Sequence, residues 1–216
     1  VGFFVTFEGP EGSGKSTQIR LLKGWLREQG LEVIATREPG GTHVGEHVRA
    51  ILLDPTLRGM TAETEVLLFS ASRAQLVQEV IRPHLQQGGV VICDRFADST
   101  YAYQGYGRGL NMEQLRQITA FATGGLKPDL TFLIDVPVQA GLARKRNGSG
   151  RDDWNRMEQE VLAYHERVRL GYMRLARQDP ERWVILDGQQ PIDLIQERIR
   201  EIIRQRLHLN GSTSRS

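Results

Sequence analysis

Cysteine is almost missing from this chain of 216 residues: Cys93 stands alone. One cysteine excludes an internal disulfide framework and a cysteine-rich zinc site. It lies in the apolar run Val90-Val91-Ile92-Cys93, which assigns it to buried packing rather than to reactivity. Long apolar runs are also absent. None approaches the ~20 residues that a membrane-spanning helix needs, and Phe3 to Phe7 is too short, and lacks the basic flank, for a secretory leader. The expectation is a soluble, cytoplasmic protein with no membrane partner. Nor does one sign of charge dominate. With 28 Lys and Arg against 26 Asp and Glu, the net charge of +2 gives no field that would recruit nucleic acid. Lysine is scarce, confined to Lys15, Lys23, Lys127 and Lys145. The other basic residues are arginines, which suit bidentate phosphate contacts or reflect a compositional habit. His43 and His47 could share a helix face, but no third metal ligand accompanies them.

What is present is organised around Gly9-Pro10-Glu11-Gly12-Ser13-Gly14-Lys15-Ser16, followed by Thr17. The stretch matches the P-loop pattern position for position. Its glycines let backbone N–H groups converge on phosphate oxygens, and the following helix adds the positive end of its dipole. Lys15 can reach the outer phosphates of a nucleotide, and the Ser16 hydroxyl can ligate Mg²⁺. The context is the required one. The β-prone run Phe3-Phe4-Val5-Thr6-Phe7 feeds the loop, and Ile19, Leu21, Leu22, Trp25 and Leu26 recur at helical spacing after it.

Strand and helix patterns then alternate, which predicts a parallel α/β sheet with helices on both faces and one domain over 1–207. Strands are expected at Glu32–Ala35, Val90–Cys93, Leu130–Ile134 and Trp183–Leu186. Helices are expected at Val44–Leu53, at Ala62–Gln87 with Thr61 as cap and a kink at Pro83, and at Met112–Thr123. Others are expected at Pro137–Arg146 and Trp154–Arg177, with a last one opened by Pro191. Asp94–Gly109 reads as a long polar and aromatic loop. Residues 208–216 read as a frayed polar tail.

Several constellations carry chemistry. Asp94-Arg95 lies past a strand end, where open α/β sheets bind ligands, so Asp94 is placed to hold Mg²⁺ directly or through water. Arg37-Glu38-Pro39-Gly40 lies past another strand end; Arg37 can clamp a second phosphate, and Pro39 permits a cis bond. Phe69 and Arg73 are helix neighbours, readable as a base-stacking pair or as a core ring beside a solvated guanidinium. Tyr101, Tyr103 and Tyr106 crowd the 94–109 stretch with Gln104, as exposed walls for a base or sugar or as loop packing. Arg144, Lys145, Arg146 and Arg151 flank Asn147-Gly148-Ser149-Gly150, the composition of a hinged lid over phosphates, at about 144–153.

Along nearly its whole length the chain resembles thymidylate kinases, members of the P-loop nucleoside monophosphate kinases. The resemblance is carried by Phe7-Glu8-Gly9-Pro10-Glu11-Gly12-Ser13-Gly14-Lys15-Ser16-Thr17, Arg37-Glu38-Pro39-Gly40-Gly41-Thr42 and Leu67-Leu68-Phe69-Ser70-Ala71-Ser72-Arg73. Asp94-Arg95-Phe96 with Ser99, Ala102-Tyr103-Gln104-Gly105, Pro128 to Asp135 and Arg156-Met157-Glu158 continue it. It implies a P-loop NTPase fold with a five-stranded parallel sheet, transfer of the γ-phosphoryl of ATP to dTMP with Mg²⁺ in dTTP synthesis, and commonly a homodimer. It implies that Gly9 to Thr17 hold ATP, with Ser16 and Asp94 at the metal. Arg37 and Arg95 would hold the acceptor phosphate and Glu11 the 3′-hydroxyl. Phe69 would stack on thymine, Arg73 would bond its edge, Tyr103 would sit under the sugar, and Ser99 and Gln104 would complete the acceptor site. Lys15, Arg95 and a lid arginine would be catalytic. The lid departs from the family: Asn155 replaces the usual Asp, and Asp152 and Asp153 come earlier, which leaves the lid arginine open between Arg146 and Arg151.

Two other kinds of P-loop protein fit less well. A guanine-nucleotide switch would carry an Asn/Thr-Lys-x-Asp signature, and Lys127-Pro128-Asp129 has the wrong spacing. A nucleoside kinase, or a kinase for another monophosphate, would not need the thymine-side set of Phe69, Arg73, Tyr103 and Gln104.

Overall fold

The computed structural model describes residues 2–148, 156–158 and 160–209. Five strands form one parallel sheet in the order β2-β3-β1-β4-β5. They are β1 (Phe3–Glu8), β2 (Val33–Arg37), β3 (Val90–Asp94), β4 (Leu130–Asp135) and β5 (Trp183–Asp187). Strand alternation sorts the two faces. Val5 and Phe7 of β1 pack with Ile92 and Phe132 against α1 (Lys15–Glu28) and α9 (Ile192–Leu207). Phe4 points the other way, onto Val91, Cys93 and Phe96. Glu8 lies on that second face by the same period of two, and this sets up the site below. Cys93 is fully buried, as its apolar run predicts, and burial pushes its thiol pKa up.

Parallel strands need helical crossovers, and these cover both faces. The second face carries α3 (Ala62–Leu76), a π-helical turn at Val77–Ile81, the short α4 (Arg82–Gln86), α5 (Ala97–Thr100) and α8 (Leu162–Gln178). The helices α2 (His43–Leu53) and α6 (Met112–Thr123) pack along α3, and α7 (Val138–Gly148) follows β4. Side-chain caps start three of them: Thr61, as its position predicts, accepts from Thr64 N–H, while Thr42 accepts from Gly45 N–H and Asn111 from Glu113 and Gln114 N–H.

The structure corrects four expectations. The helix expected over 62–87 is broken by the π turn. Pro83 has no N–H for the carbonyl of Glu79, and the wider turn absorbs that gap while Val77 and Ile81 stay buried. The stretch 94–109 is not a loop: α5 runs directly into a second π-helical segment, Tyr101–Gly107. Its glycines and tyrosines favour a loop locally, but packing against α8 decides. A Cβ on Gly107 would lie 2.7 Å from the Tyr164 ring, so only glycine admits the contact. The tyrosines are consequently not exposed walls; Tyr103 is buried, and Tyr101 and Tyr106 are half-buried. Finally, α8 begins at Leu162 rather than at 154, because Val161 is extended; Trp154 itself lies outside the described residues. His208 closes α9 in the left-handed region and Leu209 folds back onto the core, while the rest of the expected tail, 210–216, lies outside the described residues.

Candidate active site

Strand order reverses around β1, between β3 and β4, and the carboxyl ends of these strands open into a cleft of about 700 Å³. The P-loop is its floor. Gly9, Gly12 and Gly14 take φ of 137°, 67° and 95°, conformations that L side chains rarely adopt. A Cβ on Gly12 would also lie 2.0 Å from the carbonyl oxygen of Gly141, so α7 rests directly on the loop backbone. Gly14 offers α1 no side-chain cap, which leaves the first N–H groups of that helix for an anion. Lys15 curls back over the loop: its Nζ donates to Gly9 O (3.1 Å), Pro10 O (3.0 Å) and Ser13 Oγ (3.3 Å). Burial, then the nearby Arg95 charge, lowers its pKa to about 8. The negative charge of an arriving phosphate would offset the Arg95 charge and favour the protonated ammonium.

Arg95 sits across the cleft with φ of 68°, an unusual backbone for a non-glycine residue. Its N–H donates to Phe7 O (2.9 Å). Nη2 donates to Glu11 Oε1 at 2.6 Å, Nη1 donates to the Tyr172 hydroxyl at 3.0 Å, and the guanidinium lies 5.0 Å from the Tyr103 ring centre. Tyr103 adds its own hydroxyl to Glu11 (3.2 Å). Burial would raise the Glu11 pKa, but Arg95 and Lys15 outweigh it and hold it at about 2. Behind Arg95 lies Glu8, fully buried. It accepts from Phe96 N–H (2.8 Å), Ser99 Oγ (2.6 Å) and Tyr172 OH (2.8 Å). Burial, with Asp98 nearby, raises its pKa to about 7. Glu8 and Tyr172 were not read as site residues from the sequence. Glu8 could have been found as a carboxylate ending an apolar strand on its buried face; Tyr172, mid-way along an amphipathic helix, leaves no such signal.

The far wall comes from β2, α2 and α3. Arg37 lines the cleft and reaches both carboxylate oxygens of Glu46 (2.9 Å each). Glu38–Pro39 is cis, and Arg49 donates to the Pro39 carbonyl (2.9 Å). Burial and then the Arg37 charge lower the Arg49 pKa, with Glu46 pulling the other way. Arg49 also escaped the sequence reading, since its spacing on α2 resembles that of any solvated arginine. Phe69, Ser99, Tyr103 and Gln104 line the cleft together. Arg73 does not. It is 1% exposed, paired with Glu38 (2.7 Å), bonded to Phe96 O (3.2 Å) and laid against the Phe96 ring; its Nη1 and Glu38 Oε1 have no partner among the described residues.

Ser16 Oγ donates to Asp94 Oδ2 at 3.1 Å where the P-loop meets the end of β3. Hydroxyl and carboxylate oxygens side by side at the phosphate floor suit Mg²⁺, which takes hard oxygen ligands and keeps several waters. Among the described residues there is no cluster of three or more His, Cys, Asp or Glu that could hold a metal ion. From α7 and the turn after it, Arg144, Lys145, Met157 and Glu158 border the cleft, with Lys145 Nζ 3.6 Å from Glu158. Arg146 lies in the last turn of α7. Arg151, Asp152, Asp153 and Asn155 lie outside the described residues.

A parallel sheet of this order, with a P-loop between its central strand and first helix and arginines facing it, defines a P-loop NTPase. The family model "Thymidylate kinase" matches residues 7–199. A thymidylate kinase from Roseiflexus sp. (strain RS-1) is 54% identical over 94% of both chains, and one from Roseiflexus castenholzii is 55% identical over 94% of this chain and 93% of its own. The crystal structure of thymidylate kinase from Ehrlichia chaffeensis superposes with a TM-score of 0.76 at 33% identity, over 94% of this chain and 98% of that one. The chain belongs to the thymidylate kinase family.

Proposed function

We propose that the chain moves the γ-phosphoryl of ATP onto dTMP, with ATP over Gly9 to Thr17 and dTMP between Phe69, Tyr103 and Arg95. The observation that carries this reading is one cleft lined at once by Lys15, Arg37, Arg95, Phe69 and Gln104: a phosphate floor, two cations for a second phosphate, and a base-sized wall. An oxygen of the dTMP phosphate attacks the γ-phosphorus. The new P–O bond forms as the bond to the bridging oxygen breaks, and ADP leaves with that electron pair. The protein's part is positioning and charge. Arg37 and Arg95 hold the acceptor phosphate, Glu11 takes the 3′-hydroxyl, and Ser99 holds its place beside Arg95. Phe69 stacks on the base, Gln104 addresses its edge, and Tyr103 underlies the sugar where a 2′-hydroxyl would clash; Arg73, buried in its pair with Glu38, is not given the base-edge role the resemblance implies. Lys15 neutralises the moving phosphoryl, joined by a lid arginine, Arg146 or Arg151. Ser16 and Asp94 would hold Mg²⁺, which neutralises charge on the β- and γ-phosphates.

Two further features belong to this reading. The helices α2, α3 and α6 expose Val44, Ile51, Leu67 and Phe121, the last 91% exposed, a face suited to a second copy of the chain in a homodimer. No described helix is long and apolar enough to cross a membrane, and the lone thiol is buried; both suit a cytoplasmic enzyme. The test is ADP release with ATP and Mg²⁺. It should be near background without dTMP and rise steeply with it; release indifferent to dTMP would contradict the proposal.

A further inference from the structure

Gln104 meets a carboxylate that the phosphate chemistry does not use. Glu65, Phe69 and Arg73 follow one another at successive turns of α3. The Glu65 side chain is 1% exposed. Its Oε1 accepts from Gln104 Nε2 at 2.7 Å, and its Oε2 accepts from Arg156 Nη2 at 2.6 Å and Arg108 Nη2 at 3.1 Å. Arg108 is held in turn by Glu160 at 2.6 Å. Burial works against ionisation of Glu65, but the bonds from Gln104, Arg108 and Arg156 prevail and lower its pKa. An ionised carboxylate accepts and cannot donate. The Gln104 amide, whose two ends have nearly the same shape, must therefore turn its NH₂ to Glu65. Its Oε1 is left on the other side, and it accepts no hydrogen bond among the described residues, although Gln104 lines the cleft beside Phe69 and Tyr103.

We propose that Glu65 is a specificity-positioning residue: by fixing the Gln104 amide with its oxygen toward the cleft, it makes the site demand a hydrogen-bond donor on the base edge. This rests on the reading of the cleft as the dTMP site. Thymine and uracil present N3–H, a donor. Cytosine presents a bare N3, an acceptor, which would face the amide oxygen with no proton between them. The filter is blind to the 5-methyl group and to the sugar.

Glu65→Gln tests it, because an amide at position 65 can donate or accept and so frees Gln104 to turn. The ratio of kcat/KM for dTMP over dCMP should shrink about tenfold, the worth of one mismatched buried hydrogen bond. The ratio for dTMP over dUMP should stay within twofold, since both carry N3–H. A merely structural role would lower all three substrates together. Gln104→Leu should narrow the dTMP/dCMP ratio equally, and Glu65→Gln should add nothing on top of it. A wild type that ignores dTMP would overturn the reading of the cleft. A wild type that prefers dTMP, with the preference over dCMP intact in Glu65→Gln, would overturn the role of Glu65 alone. In the unsubstituted protein, the Gln104 side-chain NH₂ signals, assigned by their loss in Gln104→Leu, should stay protected from exchange before and after dTMP is added. Loss of that protection on adding dTMP would show the amide turning and would refute the proposal even if Glu65→Gln failed to fold.

Discussion

Arg73→Met would strand a carboxylate in the protein interior. Glu38 and Arg73 are 3% and 1% exposed at the side chain and 2.7 Å apart. Breaking such a pair from one side costs about 3–5 kcal/mol, because the remaining charge keeps its desolvation penalty and loses its partner. For a chain of this size that is a melting-temperature drop of about 6–20 °C. The pair is not fully satisfied, since Glu38 Oε1 and Arg73 Nη1 lack partners among the described residues. Replacing both residues by methionine should therefore cost much less than either single change. The pH dependence has a definite sign. Burial already holds the Glu38 pKa above its ordinary 4.5, with Arg73 pulling against it; without Arg73 it rises further. Below about 4.5 Glu38 is protonated whether folded or unfolded and the penalty vanishes, and it grows as pH rises through the folded value. Urea titrations of wild type, Arg73→Met, Glu38→Met and the double variant, at pH 5 and pH 8, measure this. A single-variant loss under about 1 kcal/mol at pH 8, or a double variant as damaged as the sum of the singles, would refute the reasoning.

Other outcomes follow from the cleft. Lys15→Ala should lower kcat/KM at least about a hundredfold with folding intact; in the wild type, kcat/KM for ATP should fall above pH 8, because Lys15 of the free enzyme, with its pKa lowered to about 8, loses its proton there. A profile flat to pH 9.5 would contradict that. Arg146→Ala and Arg151→Ala, compared separately, should differ, the catalytic one losing kcat far more than ATP affinity; a loss of only a few-fold in both would place the charge elsewhere. Tyr172→Phe removes one hydroxyl from Arg95 and should raise the KM for dTMP, lowering kcat/KM about tenfold, with the KM for ATP within twofold of wild type. The same change in an Arg95→Ala background should do almost nothing; equal losses in both backgrounds would mean Tyr172 does not act through Arg95.

What could be read from the chain was what local pattern encodes. The P-loop spacing, the apolar strands and the Thr61 start carry their own physics, and they place Lys15, Ser16, Arg37 and Asp94 on one edge of the sheet. What could not be read was decided by contacts distant in sequence. Tyr101–Gly107 is helical because α8 presses on it across Gly107. Glu65 and Tyr172 gain their places from partners far along the chain, and nothing in their immediate neighbours marks them. Arg73 was legible as the helix neighbour of Phe69, but its burial away from the cleft in a pair with Glu38, 35 residues away, is a tertiary fact.

The most direct test of the central claim, that the cleft is a dTMP acceptor site, is kcat/KM for dTMP, dUMP, dCMP and UMP under saturating ATP and Mg²⁺. The account predicts dTMP first and dUMP poorer but used, since a methyl group is worth only about 1–3 kcal/mol. It predicts dCMP at least about tenfold below dTMP for want of the base-edge pairing, and UMP below dUMP through the clash at Tyr103. Equal use of dTMP and dCMP would contradict it.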